Sequence, residues 1–163
     1  MSDARAVVFE RLQALGIPYE LHEHAPVFTA DDAAQHWRHI AASPVKNLFL
    51  RNKKGDRHYL AILGIDKHAD LRQLVKAIGD DRLSFGSPDR LQRYLGVEPG
   101  SVSPFGLLHD RRRAVTVLVD SDLREAERLI FHPNDNTASV AITSMDFVRF
   151  LEAQGNPVRW VRL

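Results

Sequence analysis

Cysteine is absent from all 163 residues. That excludes disulfides, thiolate metal sites and a cysteine nucleophile. No apolar run approaches the roughly 20 residues that cross a bilayer. The opening stretch, MSDARAVVFERLQAL, is charged and amphipathic, with no apolar segment of the secretory-signal type. The expectation is a cytoplasmic protein with no membrane partner. Charge of one sign is also missing: 22 Lys and Arg face 21 Asp and Glu, for a formal net charge of +1. The sum therefore names no partner, although it hides local clusters. H-E-x-x-H, G-x-S-x-G, the Walker phosphate loop and the dinucleotide fingerprint are all absent, so the familiar nucleophile and nucleotide machinery is excluded.

What is present suits a globular chain. Hydrophobic residues make up 44% and charged residues 26%, enough for one domain over residues 1–163 with a sizeable core. Helical spacing of Val7, Val8, Leu12 and Leu15 predicts a helix over 3–15, stopped at Gly16. A short strand over 17–21 should follow, then a helix over 30–37 with Thr29 as N-cap. A hairpin over 43–63 turns at Asn52-Lys53-Lys54-Gly55-Asp56. Asp70 and Ser87-Pro88 open further helices over 71–77 and 88–95, with a short strand over 82–85 between them. PGSVSPFG, residues 99–106, reads as a shaped loop. Strands over 114–119, 129–132 and 138–142, a Ser144-capped helix over 145–154 and an edge strand over 158–161 complete the chain. This pattern predicts an α/β (mixed α+β) fold whose mixed, largely antiparallel sheet packs against several helices.

One stretch does not fit a plain core strand. In SPVKNLFLRNKK, residues 43–54, Lys46 and Asn47 interrupt an otherwise apolar run. Period-2 alternation puts Lys46 with Leu48 and Leu50, and Asn47 with Val45 and Phe49. A lysine there costs free energy unless it is paired or reached by water; snorkelling at the strand mouth is the plain alternative. The eight histidines offer His22 and His24 on a strand end and His36 and His39 on a helix, but no third and fourth ligand at metal spacing. No metal and no cofactor are expected. Two basic clusters, Arg51, Lys53, Lys54 and Arg57 at the hairpin turn and Arg111, Arg112 and Arg113 in a loop, suit either solvent or phosphate.

YELHEHAPVFTADDA, SPVKNLFLRNKKGDRHYLAIL, RLSFGSPDRLQRYLGVEPGSVSPFGLLHD and FHPNDNTASVAI together resemble the YbaK-type aminoacyl-tRNA deacylase superfamily. Its members are similar to the editing insertion of bacterial prolyl-tRNA synthetases. The KNLFLR run and the SFGSPDRLQRYLG…PGSVSPFGL run are most similar to the freestanding ProXp-ala (PrdX) branch, which clears alanine mischarged onto proline tRNA. The resemblance implies a mixed α/β fold, no metal, and alanine-charged tRNA(Pro) as substrate. Prolyl-tRNA synthetase and an elongation factor are candidate partners for delivery. It further implies Lys46 as the key lysine, with Asn47 beside it and His132 in the pocket. Gly100 to Pro104, with Ser101, Val102 and Ser103 between them, match the GxxxP loop that holds the terminal adenosine. Phe28, Thr29 and Ala30 fall on the amino-acid side. Arg51, Lys53, Lys54 and Arg111–Arg113 become candidates for acceptor-stem phosphates. The competing activities are deacylation of another small residue (serine, cysteine or 2-aminobutyrate) and tRNA binding without hydrolysis.

Overall fold

Branched aliphatic residues recur on both parities of the central strands, a pattern that only a sheet covered on both faces can bury. The computed structural model, which describes residues 3–163, shows that arrangement. The chain runs α1 (Asp3–Ala14), β1 (Glu20–Glu23), α2 (Ala30–Trp37), β2 (Ser43–Arg51), β3 (His58–Gly64), α3 (Leu71–Ile78), β4 (Ser84–Phe85) and α4 (Pro88–Leu95). A 3-10 helix (Pro104–His109) leads to β5 (Val115–Asp120), and a second one (Ser121–Glu125) to β6 (Arg128–Phe131). β7 (Ala138–Thr143), α5 (Ser144–Gln154) and β8 (Val158–Val161) end it.

The strands form one mixed sheet in the order β1-β7-β6-β2-β3-β5-β8, with β4 added to β2. Pairing is antiparallel except for β2 with β6, β3 with β5 and β5 with β8. Alternation is literal along the strands. Val45, Phe49, Leu60, Ile62, Val117 and Val140 pack against α1, α4, α5 and the first 3-10 helix. The intervening residues face the other way. Leu50, Tyr59, Ala61 and Leu118 meet α3, while Ile130 and Ala141 meet α2 through Ala33 and Trp37.

Three expectations shift. The strand after α1 begins at Glu20 rather than residue 17. α5 is capped by Thr143, whose hydroxyl accepts from the Asp146 N–H at 3.1 Å, so Ser144 is its first residue and not its cap. Pro104 opens a 3-10 helix instead of extending the loop, because Ser103 Oγ accepts the Phe105 N–H at 3.0 Å and starts the turn. The remaining caps follow the chain as read: Thr29 on α2, Asp70 on α3 and Ser87 on α4.

The feature that positions the site is a gap in the sheet. β3 pairs with β2 along its whole length. On the other side of β2, only Ser43 and Pro44 pair with β6, and only Leu50 and Arg51 pair with β4. Residues 45–48 therefore have no strand partner on that edge among the described residues. β2 and β6 splay apart from this point.

Candidate active site

A cavity of about 230 Å³ occupies the splay between β2 and β6. Val45, Lys46, Asn47 and Leu48 line it from β2, Ala33 and Trp37 from α2, His132 from the end of β6, and Gly100 and Val102 from the loop after α4. Phe28, Thr29 and Ile65 complete the wall. The gap explains how adjacent residues of opposite parity reach one cavity: an open strand edge exposes both faces. Lys46 comes from the α2 side and Asn47 from the side of Val45 and Phe49.

Lys46 is half-buried and has neither a hydrogen bond nor an ion pair among the described residues. It stands unpaired in a wall that is apolar apart from Thr29, Asn47 and His132. Asn47 Oδ1 is buried and makes no hydrogen bond either. A buried amide oxygen without a donor costs on the order of 1–3 kcal/mol, which is a common signature of a site built for something other than stability.

His132 is buried, and its Nδ1 donates to the Ala138 carbonyl at 2.9 Å. A carbonyl only accepts, so Nδ1 carries the proton and Nε2 of the neutral ring offers a lone pair. Burial pushes the imidazole below its ordinary range; the bond to Ala138 opposes this, and His24 adds to the lowering. Nε2 has no protein partner among the described residues.

Behind the cavity runs a chain of hydrogen bonds, buried at Trp37 and Ser139 and half-buried at His24. Trp37 Nε1 donates to Ser139 Oγ at 2.5 Å, and Ser139 Oγ lies 2.7 Å from His24 Nε2. His24 Nδ1 donates to the Ala25 carbonyl at 2.8 Å, so in the neutral ring Nε2 accepts the Ser139 hydroxyl proton. Trp37 then lies against His132 with ring centroids 5.4 Å apart, and His24 stacks on His36 at 4.9 Å. Among the described residues, no group of three His, Asp or Glu is placed to hold a metal ion.

The loop is shaped around the cavity mouth. Gly100 has φ +91, a conformation that side chains other than glycine rarely adopt. It rests near the Val27 carbonyl and the Phe28 Cα, at 3.7 and 3.8 Å from where its Cβ would be. Phe28 itself is 72% exposed at the rim.

A model of the aminoacyl-tRNA editing domain matches residues 24–150 of the chain. The chain belongs to that family of aminoacyl-tRNA deacylases. It is 40% identical over 161 residues to the prolyl-tRNA editing protein ProX of Acetoanaerobium sticklandii, covering 99% of this chain and 98% of the relative. It is 31% identical over 100 residues to the multifunctional Ser/Thr-tRNA deacylase ProXp-y of Escherichia coli strain K12, covering 61% of this chain and 58% of the relative. A crystal structure of a candidate trans-editing enzyme for prolyl tRNA synthetase superposes with a TM-score of 0.76 at 22% identity, covering all of this chain and 99% of that one. The chain thus has the mixed fold of that structure and a place among the family's editing enzymes.

Within the family frame, the cavity gathers Lys46, Asn47, His132, Phe28, Thr29, Gly100 and Val102. Ser101, Ser103 and Pro104 are buried behind the wall and shape the loop instead of lining the cavity. Ala30 opens α2, but its side chain lies outside what the structure describes. The basic residues sit elsewhere. Arg51, Lys53 and Lys54 are at the far end of β2, and Arg113 Nε donates to the Gln154 carbonyl at 2.9 Å, closing the end of α5. Sequence reasoning missed Trp37, Ala33, Ile65 and Ser139. Trp37 reads as ordinary core on an amphipathic helix, whereas a serine inside ASVAI was a usable signal of a buried polar partner.

Proposed function

We propose that this chain removes alanine from mischarged tRNA(Pro) by hydrolysing the ester to the terminal ribose, and leaves Pro-tRNA(Pro) intact. The observation that carries the reading is the convergence of an unpaired lysine, a free imidazole acceptor and a glycine-shaped loop on one small cavity. The relationship to a protein named for prolyl-tRNA editing supports it.

The chemistry needs no protein nucleophile. Among the described residues Thr29 carries the one hydroxyl in the cavity wall, and its Oγ1 serves as the helix cap by accepting the Asp32 N–H at 3.1 Å. Water adds to the ester carbonyl, the bond from that carbon to the ribose 3′-oxygen breaks, and the 3′-oxygen takes a proton. Alanine and tRNA with a free 3′-hydroxyl leave. Lys46 stabilises negative charge, either on the carbonyl oxygen as it develops or on the neighbouring phosphate. His132 Nε2 accepts a hydrogen bond from a substrate O–H or N–H, and the tRNA's own 2′-hydroxyl orients the water. Gly100, Val102 and the exposed face of Phe28 hold the terminal adenosine, with Ser101, Ser103 and Pro104 shaping the loop behind them, stacking being the usual recognition of an unpaired base.

Selectivity follows from the apolar part of the wall. On this reading Ala33, Trp37, Val45 and Ile65 are the residues that close around a methyl group and turn a proline ring away. Steric exclusion discriminates more strongly than the roughly 1–3 kcal/mol available from an underfilled pocket.

The deciding experiment is single-turnover release of labelled alanine from Ala-tRNA(Pro) by the native protein and Lys46→Ala, with Pro-tRNA(Pro) as control. Serine-, cysteine- and 2-aminobutyrate-charged tRNA complete the panel. Native release of alanine with proline spared, and a loss of about 10²–10³-fold in Lys46→Ala, is the expected outcome. Faster release of another residue reassigns the substrate. Binding with no release across the panel replaces the hydrolase by a binding module.

A further inference from the structure

Arg51, at the end of β2, stands directly across the strand pair from His58. Around this pair the structure collects positive charge that outweighs Asp56, the carboxylate that acts on His58 and is itself held by Asn52. Arg90 of α4 reaches into the β2–β3 turn, where its Nη1 donates to the Gly55 carbonyl and to His58 Nε2, both at 3.0 Å. Arg93 follows three residues later on the same helix face. Gly55, at φ +72, supplies the bare backbone this requires: a Cβ there would lie 2.8 Å from Arg90 Nη2 and 3.0 Å from Arg51 Nη1. The two guanidinium groups thus stand no further apart than those two distances laid end to end.

Arg51, Arg90 and Arg93 have no carboxylate partner among the described residues. Arg57 on the same turn does have one, Asp80 at 3.9 Å. Burial and the three arginines together hold His58 neutral, pushed down to about 4. A neutral His58 accepts from Arg90 and fixes it, while stacking on Tyr94 at 4.0 Å and on Phe49 at 5.6 Å keeps the imidazole itself in place. The side chains of Lys53 and Lys54 flank the cluster, exposed. Oriented guanidinium groups that repel one another and lack an internal counterion fit phosphate oxygens, which they grip bidentately.

We infer that Arg51, Arg90 and Arg93 form a binding site for the phosphodiester backbone of the substrate RNA, separate from the cavity at Lys46. Lys46 and Arg51 lie on one strand, five residues apart, or about 16 Å at a strand's rise per residue. At the ~3.4 Å per-strand charge spacing of a nucleic-acid duplex, that separation corresponds to about five phosphates. A tRNA whose acceptor stem runs along β2 from the cavity brings stem phosphates within reach of the arginines. The identity of the RNA as tRNA rests on the deacylase reading; the phosphate chemistry does not.

The test measures binding of uncharged tRNA(Pro) across a salt series by native protein, Arg90→Gln and Arg93→Gln. Arg93→Gln guards against a folding defect, since Arg93 is exposed and makes no hydrogen bond within the described residues. Arg124→Gln is the control for charge alone, because Arg124 lies over Trp160 at 4.2 Å, away from the cluster. Each cluster variant is expected to bind about 5- to 10-fold more weakly and to reduce the slope of log K against log salt by about 1, with Arg124→Gln like the native protein. Unchanged affinity and slope in both cluster variants overturn the inference, as does an equal effect at Arg124. Release of alanine by the native protein from full-length Ala-tRNA(Pro), at protein concentrations that saturate binding, is scored separately. Its failure would sink the deacylase reading while leaving the binding result to decide the phosphate site.

Discussion

Trp37 Nε1 donates to the hydroxyl of Ser139, across 102 residues of chain, and the same oxygen lies within hydrogen-bond reach of His24. This bond fixes the indole that forms the cavity's α2 wall. Ser139→Ala leaves the buried indole N–H unpaired and removes the His24 partner, so it should destabilise the fold by about 1–3 kcal/mol. Urea denaturation measures it. Trp37→Phe combined with Ser139→Ala should cost less than the two single changes added together, because the phenylalanine has no donor left to strand. Strict additivity would mean that the bond contributes nothing.

Phe28 is the large aromatic left open at the cavity rim, beside the Gly100 loop. If it stacks on the terminal adenine, Phe28→Ala should raise KM by the equivalent of about 1–3 kcal/mol with little change in kcat. A loss in kcat with KM unchanged would place Phe28 against the reacting group instead. Stability should not move, since an exposed ring contributes little to the core.

The fold was largely legible in the chain, and for identifiable reasons. The two-sided apolar strands forced a covered sheet, and Thr29, Asp70 and Ser87 act as the caps their side chains allow. Lys46 and Asn47 stood out because each breaks an apolar face. The cavity that unites them was not legible. It depends on β6 pairing with only Ser43 and Pro44 before diverging, a register that no local pattern encodes. The same holds for Arg90, an ordinary surface arginine on a helix until the hairpin turn is folded beneath it.

His132 enters the proposed reaction as a neutral acceptor, and burial is the main reason its folded pKa is lowered. The neutral ring therefore persists as pH falls through the ordinary imidazole range near 6.5. The informative quantity is the ratio of native to His132→Phe rates, since phenylalanine has no acceptor and the ratio cancels the pH dependence of ester hydrolysis itself. The ratio should be about tenfold, the worth of one hydrogen bond near 1.5 kcal/mol. It should hold constant from pH 8 to 6.5 and shrink only below that. A ratio that collapses at or above pH 6.5 would show that the ring titrates as an exposed histidine does.

His58 makes the corresponding prediction for stability. Burial first, then Arg90, Arg51 and Arg93, lower its folded pKa from 6.5 to about 4, with Asp56 opposing. Between those values the unfolded chain binds a proton that the folded protein does not, so stability rises with pH across this window and is lost as pH falls through it. At about 1.4 kcal/mol per pKa unit, roughly 3 kcal/mol is the upper bound, and solvent screening of the ring reduces it. Carboxylates also titrate as pH falls, so the native protein must be compared with His58→Gln, which keeps an acceptor for Arg90 but cannot protonate. The native protein should lose stability relative to the variant between pH 6.5 and 4, followed by urea midpoints, and the two curves should run parallel above pH 7. Parallel curves throughout would mean that His58 carries its proton in the fold as readily as in the unfolded chain. Protonation would then take the Nε2 lone pair already below about pH 6.5, and the His58–Arg90 bond would be lost there instead of near pH 4.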